Sequence, residues 1–406
     1  MKVKSIIKKI LGKSVLGFYH YCWALFGAVV FGFPSSKLIV IGVTGTSGKS
    51  TTTDFITRIL EESGNKVASI STIRFKVGEK EWENKYKMSM PGRWVIQQFF
   101  SQAKKAGCKY VVLEVTSEGM RQYRHKFINF DTAVFTNIGQ EHLESHGGFE
   151  NYRNAKIKLF KTTKNVHVIN GDDENAKYFL DVPARKKIVF SIKNLKNINN
   201  QNGLHFNYKG VDFNLDLLGD FNIMNALAAI TVAGVYGVNL ETCKKALEKA
   251  KGIVGRMEVV QKEPFEVVVD YAHTPEQLES AYKSLNERPL ICVLGSCGGG
   301  RDKWKRPVLG EIAKKYCKEI IVTNEDPYDE DPMTIINQVA ETAGQKAQKI
   351  LDRKEAIKTA LKLAKPNDIV IITGKGSEPL MCVSNGRKIP WSDKKIVKGE
   401  LIKHEK

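Results

Sequence analysis

Two blocks of apolar runs alternating with amphipathic stretches fill most of this 406-residue chain, and an uncharged stretch precedes them. Residues 38–43 (LIVIGV) form a short β-branched run, the pattern of a buried parallel strand. A glycine loop follows at 44–48, and from Lys49 onward Phe55, Ile56, Ile59 and Leu60 recur at helical spacing. Further strands are predicted at 66–72, 109–115, 131–136, 166–170 and 187–191. The asparagine-rich run 194–202 reads as a loop, 204–217 alternates like a hairpin, and 221–236 and 240–250 read as helices. A second alternating set places strands at 265–270, 290–294, 319–323 and 368–373. The predicted class is α/β: an N-terminal helical segment at 1–37, a doubly wound domain at 38–253 and a smaller Rossmann-like domain at 254–406.

The front of the chain breaks this pattern. Lys2, Lys4, Lys8, Lys9 and Lys13 precede residues 15–33, which carry no Asp, Glu, Lys or Arg. A signal peptide is disfavoured because no small-residue cleavage site follows. Packing against the protein ranks first, association with a membrane surface second and a membrane span third. A span would hold the lysines inside and send the remainder outside.

Composition narrows the class. Hydrophobic residues make up 42% and charged residues 26%, as in an ordinary globular protein. The formal charge of +19 suits an anionic small molecule first, a membrane surface second and nucleic acid a distant third, since no arginine-rich or aromatic-interleaved block is present. Seven cysteines, dispersed and without a C-x-x-C pair, argue against a disulfide framework and a zinc ribbon. The expected compartment is the cytoplasm, with the inner face of the membrane as a second placement.

The chemistry centres on residues 45–50 (GTSGKS). A strand, a glycine loop and a helix start in that order form an anion site. Backbone N–H groups and the helix dipole converge on phosphate oxygens, Lys49 adds a point charge, and the Ser50 hydroxyl can hold magnesium. The central domain is thus expected to be P-loop ATPase-like, although Val43 stands where the usual motif has its first glycine. Glu114 lies near the carboxyl end of a predicted strand, where ligands bind in open α/β sheets. A carboxylate there is placed to hold the magnesium that bridges ATP phosphates; a solvent-facing strand-end glutamate is the plainer alternative. His142 lies beyond another strand, and a lone histidine is more often structural than a ligand.

The 45–50 variant, with the segments around it, resembles the Mur ligase superfamily, ATP-dependent enzymes that add amino acids to peptidoglycan precursors. Residues 135–146 (FTNIGQEHLESH) resemble that family's T-N-[LI]-x-x-D-H-L-D-x-H, with Glu141 and Glu144 for its two aspartates. The segment 152–156 (YRNAK) resembles Y-x-x-A-K, 221–226 (FNIMNA) resembles F-N-x-x-N, 255–258 is GRME and 270–275 is DYAHTP. The resemblance implies that Gly45, Thr46, Ser47, Gly48, Lys49, Ser50 and Thr51 bind ATP together with Asn222, Asn225, Arg256, Asp270 and His273. It implies magnesium held by Ser50, Glu114, His142 and a carbamate on Lys156, with Lys49, Lys156, His142 and Arg256 as the catalytic set.

Within the family the best match is the branch that adds the third, usually diamino, residue to a muramyl peptide. Its G-x-R-D-x-x-K-R-P appears at 300–307, one residue shorter, and its G-K-G-H-E appears at 374–378 as GKGSE. Acceptor and amino acid are then expected to meet Thr116, Ser117, Arg124, Arg301, Asp326, Gly374 and Glu378. Where diaminopimelate enzymes show D-N-P-R, residues 325–328 read EDPY, so lysine or ornithine is expected instead. Relatives carry a separate uridine-nucleotide domain in front, and residues 31–35 (FGFPS) resemble its exit. The drifted 89–91 (SMP for T-T-P) and 116–118 (TSE for S-S-H) leave a lipid-linked or non-uridine acceptor open. The expected partners are a muramyl-peptide acceptor and a free amino acid, for a monomer with a peripheral membrane contact through 1–35. A folylpolyglutamate-type ligase and a non-catalytic nucleotide-binding, membrane-associated module are the rival readings.

Overall fold

The computed structural model describes residues 13–86, 88–200 and 203–404. Its contacts divide the chain into two units. The first holds residues up to Gly139, Gly148–Asp216 and Phe221–Ala250; the second holds Gln140–Gly147, Leu217–Asp220 and the chain from Lys251.

The first unit is built on eight strands: β1 (Ile39–Thr44), β2 (Val67–Ile70), β3 (Arg74–Val77), β4 (Lys80–Glu83), β5 (Tyr110–Glu114), β6 (Phe130–Phe135), β7 (Val166–Asn170) and β8 (Lys186–Phe190). They lie in the order β4-β3-β2-β5-β1-β6-β7-β8. β1 pairs in parallel with β5 and with β6, so the loops leaving these three strands emerge at one edge. β2, β5 and β7 are buried at every residue, and their mostly apolar side chains enclose the polar Ser69, Glu114, His167 and Asn170. Phe55, Ile56, Ile59 and Leu60 of the helix Lys49–Glu62 are fully buried, as their spacing predicted. The β3–β4 hairpin was not predicted. It turns at Gly78, and β4 carries Lys80, Glu81 and Glu83, charges that suit an exposed sheet edge.

The asparagine-rich run corrects the expectation of a loop. Leu195–Asn199 is a strand, β9, antiparallel to β10 (Leu204–Tyr208), which pairs with β11 (Val211–Leu215). Only Leu195 of β9 is buried. The strand is held through its backbone, so side-chain periodicity carried no signal.

In the second unit β12 (Glu258–Gln261), β13 (Glu266–Val269), β14 (Leu290–Leu294), β15 (Cys317–Thr323), β16 (Ala347–Ile350) and β17 (Ile369–Ile372) form a sheet in the order β12-β13-β17-β14-β15-β16. It is parallel except for β12. Its core gathers Val267, Ile291, Ile321, Ile357 and Ile372. Here the cysteine expectation is corrected in one respect. Cys292 and Cys317, on neighbouring strands, form a disulfide, while Cys22, Cys108, Cys243, Cys297 and Cys382 remain thiols outside any disulfide. The parallel pairing brings together two cysteines 25 residues apart, a proximity that spacing alone does not reveal.

The uncharged N-terminal stretch is a helix, Lys13–Val30. Ala24 and Ala28 are buried, and Gly17 and Gly27 lie against Tyr123 and against Trp94 and Gln97. Tyr21 and Phe26 add ring contacts to Phe127 and Trp94. The helix thus packs on the first unit through its small residues and leaves most bulky ones outside. Among the described residues no helix is long and apolar enough to cross a membrane.

Candidate active site

Two glycines let the loop after β1 close on its neighbours. Gly48 has φ +76°, and a Cβ there would collide with the Asn225 amide oxygen. A Cβ on Gly45 would collide with the Thr136 hydroxyl. The loop is pinned from the segment after β6. The Asn137 carbonyl accepts from Thr46 N–H at 2.9 Å, its side-chain oxygen accepts from Ser47 N–H at 2.9 Å, and the Thr136 hydroxyl donates to the Ser47 carbonyl at 2.7 Å. Helix Lys49–Glu62 starts directly from Gly48 with no side-chain cap, so its first N–H groups face the loop. Lys49 Nζ donates to the Thr46 carbonyl at 2.8 Å.

Glu114 closes β5 with its carboxylate buried. The Ser50 hydroxyl donates to Glu114 Oε2 at 2.8 Å, and Thr72 donates its N–H to the same oxygen at 2.9 Å and its hydroxyl to Oε1 at 3.0 Å. A hydroxyl and a carboxylate so placed are hard oxygen donors that fit magnesium; phosphate and water oxygens would complete its shell. Lys156, on the helix Phe149–Thr162, is equally buried. Its Nζ donates to the Gly45 carbonyl at 2.6 Å and lies 4.4 Å from the centre of the Tyr152 ring. The Tyr152 hydroxyl is 3.0 Å from Thr46 Oγ1. Asn225 donates to Asn222 at 3.0 Å and accepts from the Thr52 hydroxyl at 3.3 Å. Thr51 is buried on the first turn of the helix.

The first unit therefore brings together the glycine loop, Ser50, Glu114, Lys156 and both asparagines. His142 belongs to the segment Gln140–Gly147 of the second unit. There Asp302 accepts N–H bonds from His142 at 2.7 Å and Glu144 at 3.2 Å. Among the described residues no group of three or more His, Cys, Asp or Glu is arranged to hold a metal ion.

Thr116 caps the short helix Ser117–Arg121, accepting from Gly119 N–H at 3.1 Å, and Ser117 is buried beside it. Arg124 donates to the Met90 carbonyl and, at 2.7 Å, to Gln122 Oε1. Arg93, which the motifs did not single out, donates to the Gln122 carbonyl. Burial first and the neighbouring Arg124 guanidinium second bring Arg93 down to about 10. The Nε atoms of both arginines are buried without a hydrogen-bond partner.

In the second unit Asp270 ties two backbone segments together, accepting from Met257 N–H and Ala272 N–H, each at 2.7 Å. Arg256 lies over the Tyr271 ring at 3.9 Å, and the Tyr271 hydroxyl donates to Glu378 at 3.2 Å. His273 Nε2 is 3.0 Å from Glu141. Lys375, buried, donates to Asp326 at 2.9 Å and to Glu378 at 2.6 Å. Burial would lower this amine, but Glu378 and Asp326 together hold it above the usual lysine range. Arg301 donates to the Tyr328 hydroxyl at 3.2 Å. Gly374, at φ +101°, leaves room for the carboxylate of Glu325, a buried side chain whose Oε1 accepts from the Cys297 thiol at 3.1 Å.

Thr72, Asn137, Tyr152, Asp302 and Lys375 hold the predicted residues in place and were themselves not singled out. Four lie inside segments already quoted for other residues. Thr72 ends a predicted strand at the ligand edge, a signal that was available.

Sequence and structure comparisons bear on this arrangement. The Mur ligase middle domain matches residues 43–233, and the Mur ligase, glutamate ligase domain matches residues 255–376. A UDP-N-acetylmuramyl-tripeptide synthetase of Roseiflexus sp. (strain RS-1) is 37% identical over 404 residues, covering 90% of this chain and 79% of that protein. A solved UDP-N-acetylmuramoyl-L-alanyl-D-glutamate–2,6-diaminopimelate ligase is 30% identical with a TM-score of 0.62, covering 91% of this chain and 79% of that one. Folylpolyglutamate synthase of Mycobacterium tuberculosis, solved with ADP and AMPPCP, shares the fold at TM-score 0.71 and 16% identity, over 87% of this chain and 92% of that one. The chain belongs to the Mur ligase family of ATP-dependent ligases.

Proposed function

We propose that the protein joins an amino acid to the terminal carboxylate of a muramyl peptide, through an acyl phosphate made at the expense of ATP. The observation that carries this reading is the buried Ser50–Glu114 pair beside the glycine loop. A carboxylate is a poor electrophile, and phosphorylation gives it a leaving group. Lys49 and the N–H groups after Gly48 would bind the phosphates and meet the charge that develops in transfer. Ser50 and Glu114 would hold magnesium, which when bound neutralises phosphate charge and polarises the transferred group. Lys156, if carbamylated, keeps one N–H for the Gly45 carbonyl and gains an anionic end. Arg93 and Arg124 offer two guanidiniums to an anionic group of the acceptor.

The second unit would deliver the amine, with Arg301 and Glu378 on the amino acid's charged ends. We assign a cationic side chain, lysine or ornithine, because residues 325–330 supply carboxylates and a tyrosine where diaminopimelate enzymes have arginine. The test is phosphate release over a panel of acceptors and amino acids. ATP turnover that needs both a muramyl-peptide carboxylate and an amino acid supports the ligase reading. Turnover indifferent to the acceptor overturns it, and faster ADP release with diaminopimelate than with lysine overturns the amino-acid assignment.

A further inference from the structure

The helix Lys13–Val30 is built the reverse way from a helix docked on a soluble core. Its small residues Ala24, Gly27 and Ala28 face the protein. Its large apolar ones face outward: Phe18 is 70% exposed, Phe26 53% and Val29 56%. Phe18, Tyr19, Cys22, Phe26, Val29 and Val30 recur at spacings of three and four, so they line one face of the helix. A contiguous apolar stripe of this kind on a folded surface marks an interaction site.

Three features select its occupant. No Asp, Glu, Lys or Arg occurs between Ser14 and Ser36, whereas Lys2, Lys4, Lys8, Lys9 and Lys13 stand immediately before the stripe. Clustered lysines beside an apolar stripe complement an anionic lipid surface, at about 1 kcal/mol for each lysine near the headgroups. Tyr19, Tyr21 and Trp23 are exposed along the helix, and such rings settle at the boundary between headgroups and acyl chains. Finally, 18 residues of helix that fail the requirement for crossing a bilayer suit a helix lying in the interface plane.

We propose that the helix Lys13–Val30 is a peripheral membrane anchor, its outward aromatic and aliphatic face seated among the acyl chains of an anionic leaflet. This holds independently of which acceptor or amino acid the ligase uses.

Co-sedimentation of the full chain with vesicles of phosphatidylcholine, with and without phosphatidylglycerol, tests it. The expected result is binding that requires phosphatidylglycerol and weakens with added salt. Phe18→Ser with Val29→Ser should weaken it at least about tenfold, since two large apolar side chains leave the bilayer. Both residues lie outside the proposed catalytic groups, so ATP turnover in solution should be unchanged in the double variant. Absence of vesicle binding, or binding that the double variant leaves intact, overturns the proposal. So does a soluble dimer that the double variant dissociates, because a second copy would then be the occupant.

Discussion

The Ser50 hydroxyl donates to Glu114 at 2.8 Å across 64 residues of sequence, one from the helix after β1 and the other from the end of β5. The adjacent parallel strands bring these oxygens to the carboxyl edge of the sheet, beside the glycine loop. Thr72 holds both carboxylate oxygens, so the group is aimed before any ligand arrives. Glu114→Gln keeps one acceptor oxygen and removes the charge. The expected outcome is a magnesium requirement raised about 10–100-fold with a modest loss of stability, about 1–3 kcal/mol. A magnesium titration of ATP turnover, beside a urea melt of the same variant, checks both parts.

Gly48 carries a different burden. Its φ of +76° is costly for a residue with a side chain, and a Cβ would also strike Asn225. Gly48→Ala should cost about 1–3 kcal/mol of stability and abolish measurable nucleotide binding. A urea melt and a calorimetric ATP titration of the single variant check the two parts.

The glycine loop and the positions of the central strands around it were legible because buried parallel strands leave largely apolar runs, and because the loop's residue types are dictated by close backbone approach. The order of those strands came only from the fold. β9 and the β3–β4 hairpin were not legible, since their exposed side chains follow no apolar period and only backbone pairing defines them. The motifs singled out His142 and merely contained Asp302, and nothing in the spacing says that Asp302 accepts the N–H of His142 across 160 residues. Lys375 was hidden for a similar reason. A lysine in a glycine-rich turn reads as solvated, and only the fold reveals Asp326 and Glu378 closing on it.

His125 gives the first unit an acid-sensitive point. It is buried, its Nδ1 has no hydrogen-bond partner, and burial first, then Lys126 and Lys158, push it down to about 4. Below pH about 6.5 the unfolded chain takes up a proton that the folded chain refuses until about 4. This stabilisation is therefore complete above the unfolded value and is lost as pH falls through that window, by up to about 3 kcal/mol. His125→Phe should flatten the corresponding part of the stability profile in urea melts between pH 7 and pH 4. An unchanged acid slope would show that the imidazole titrates alike in both states.

Tyr328 is the residue on which amino-acid choice can be tested. Its loop is fixed from several sides: Asp326 accepts from Lys375 at 2.9 Å and from Cys382 N–H at 2.6 Å, and Tyr328 N–H donates to the Cys382 carbonyl at 3.2 Å. Tyr328 sits at φ +54°, a conformation that this pinned loop imposes on any occupant of the position. Tyr328→Arg should therefore project its guanidinium from the place the tyrosine leaves, beside Arg301. Two cations there repel a distal ammonium and attract a distal carboxylate. A charge-assisted bond of about 1.5–3 kcal/mol shifts the ratio of diaminopimelate to lysine turnover upward by about 10–150-fold. The ratio of kcat/KM values for the two amino acids reads this directly. The measurement also separates selectivity from damage, because a merely unfolded loop would lower both values and leave their ratio where it was.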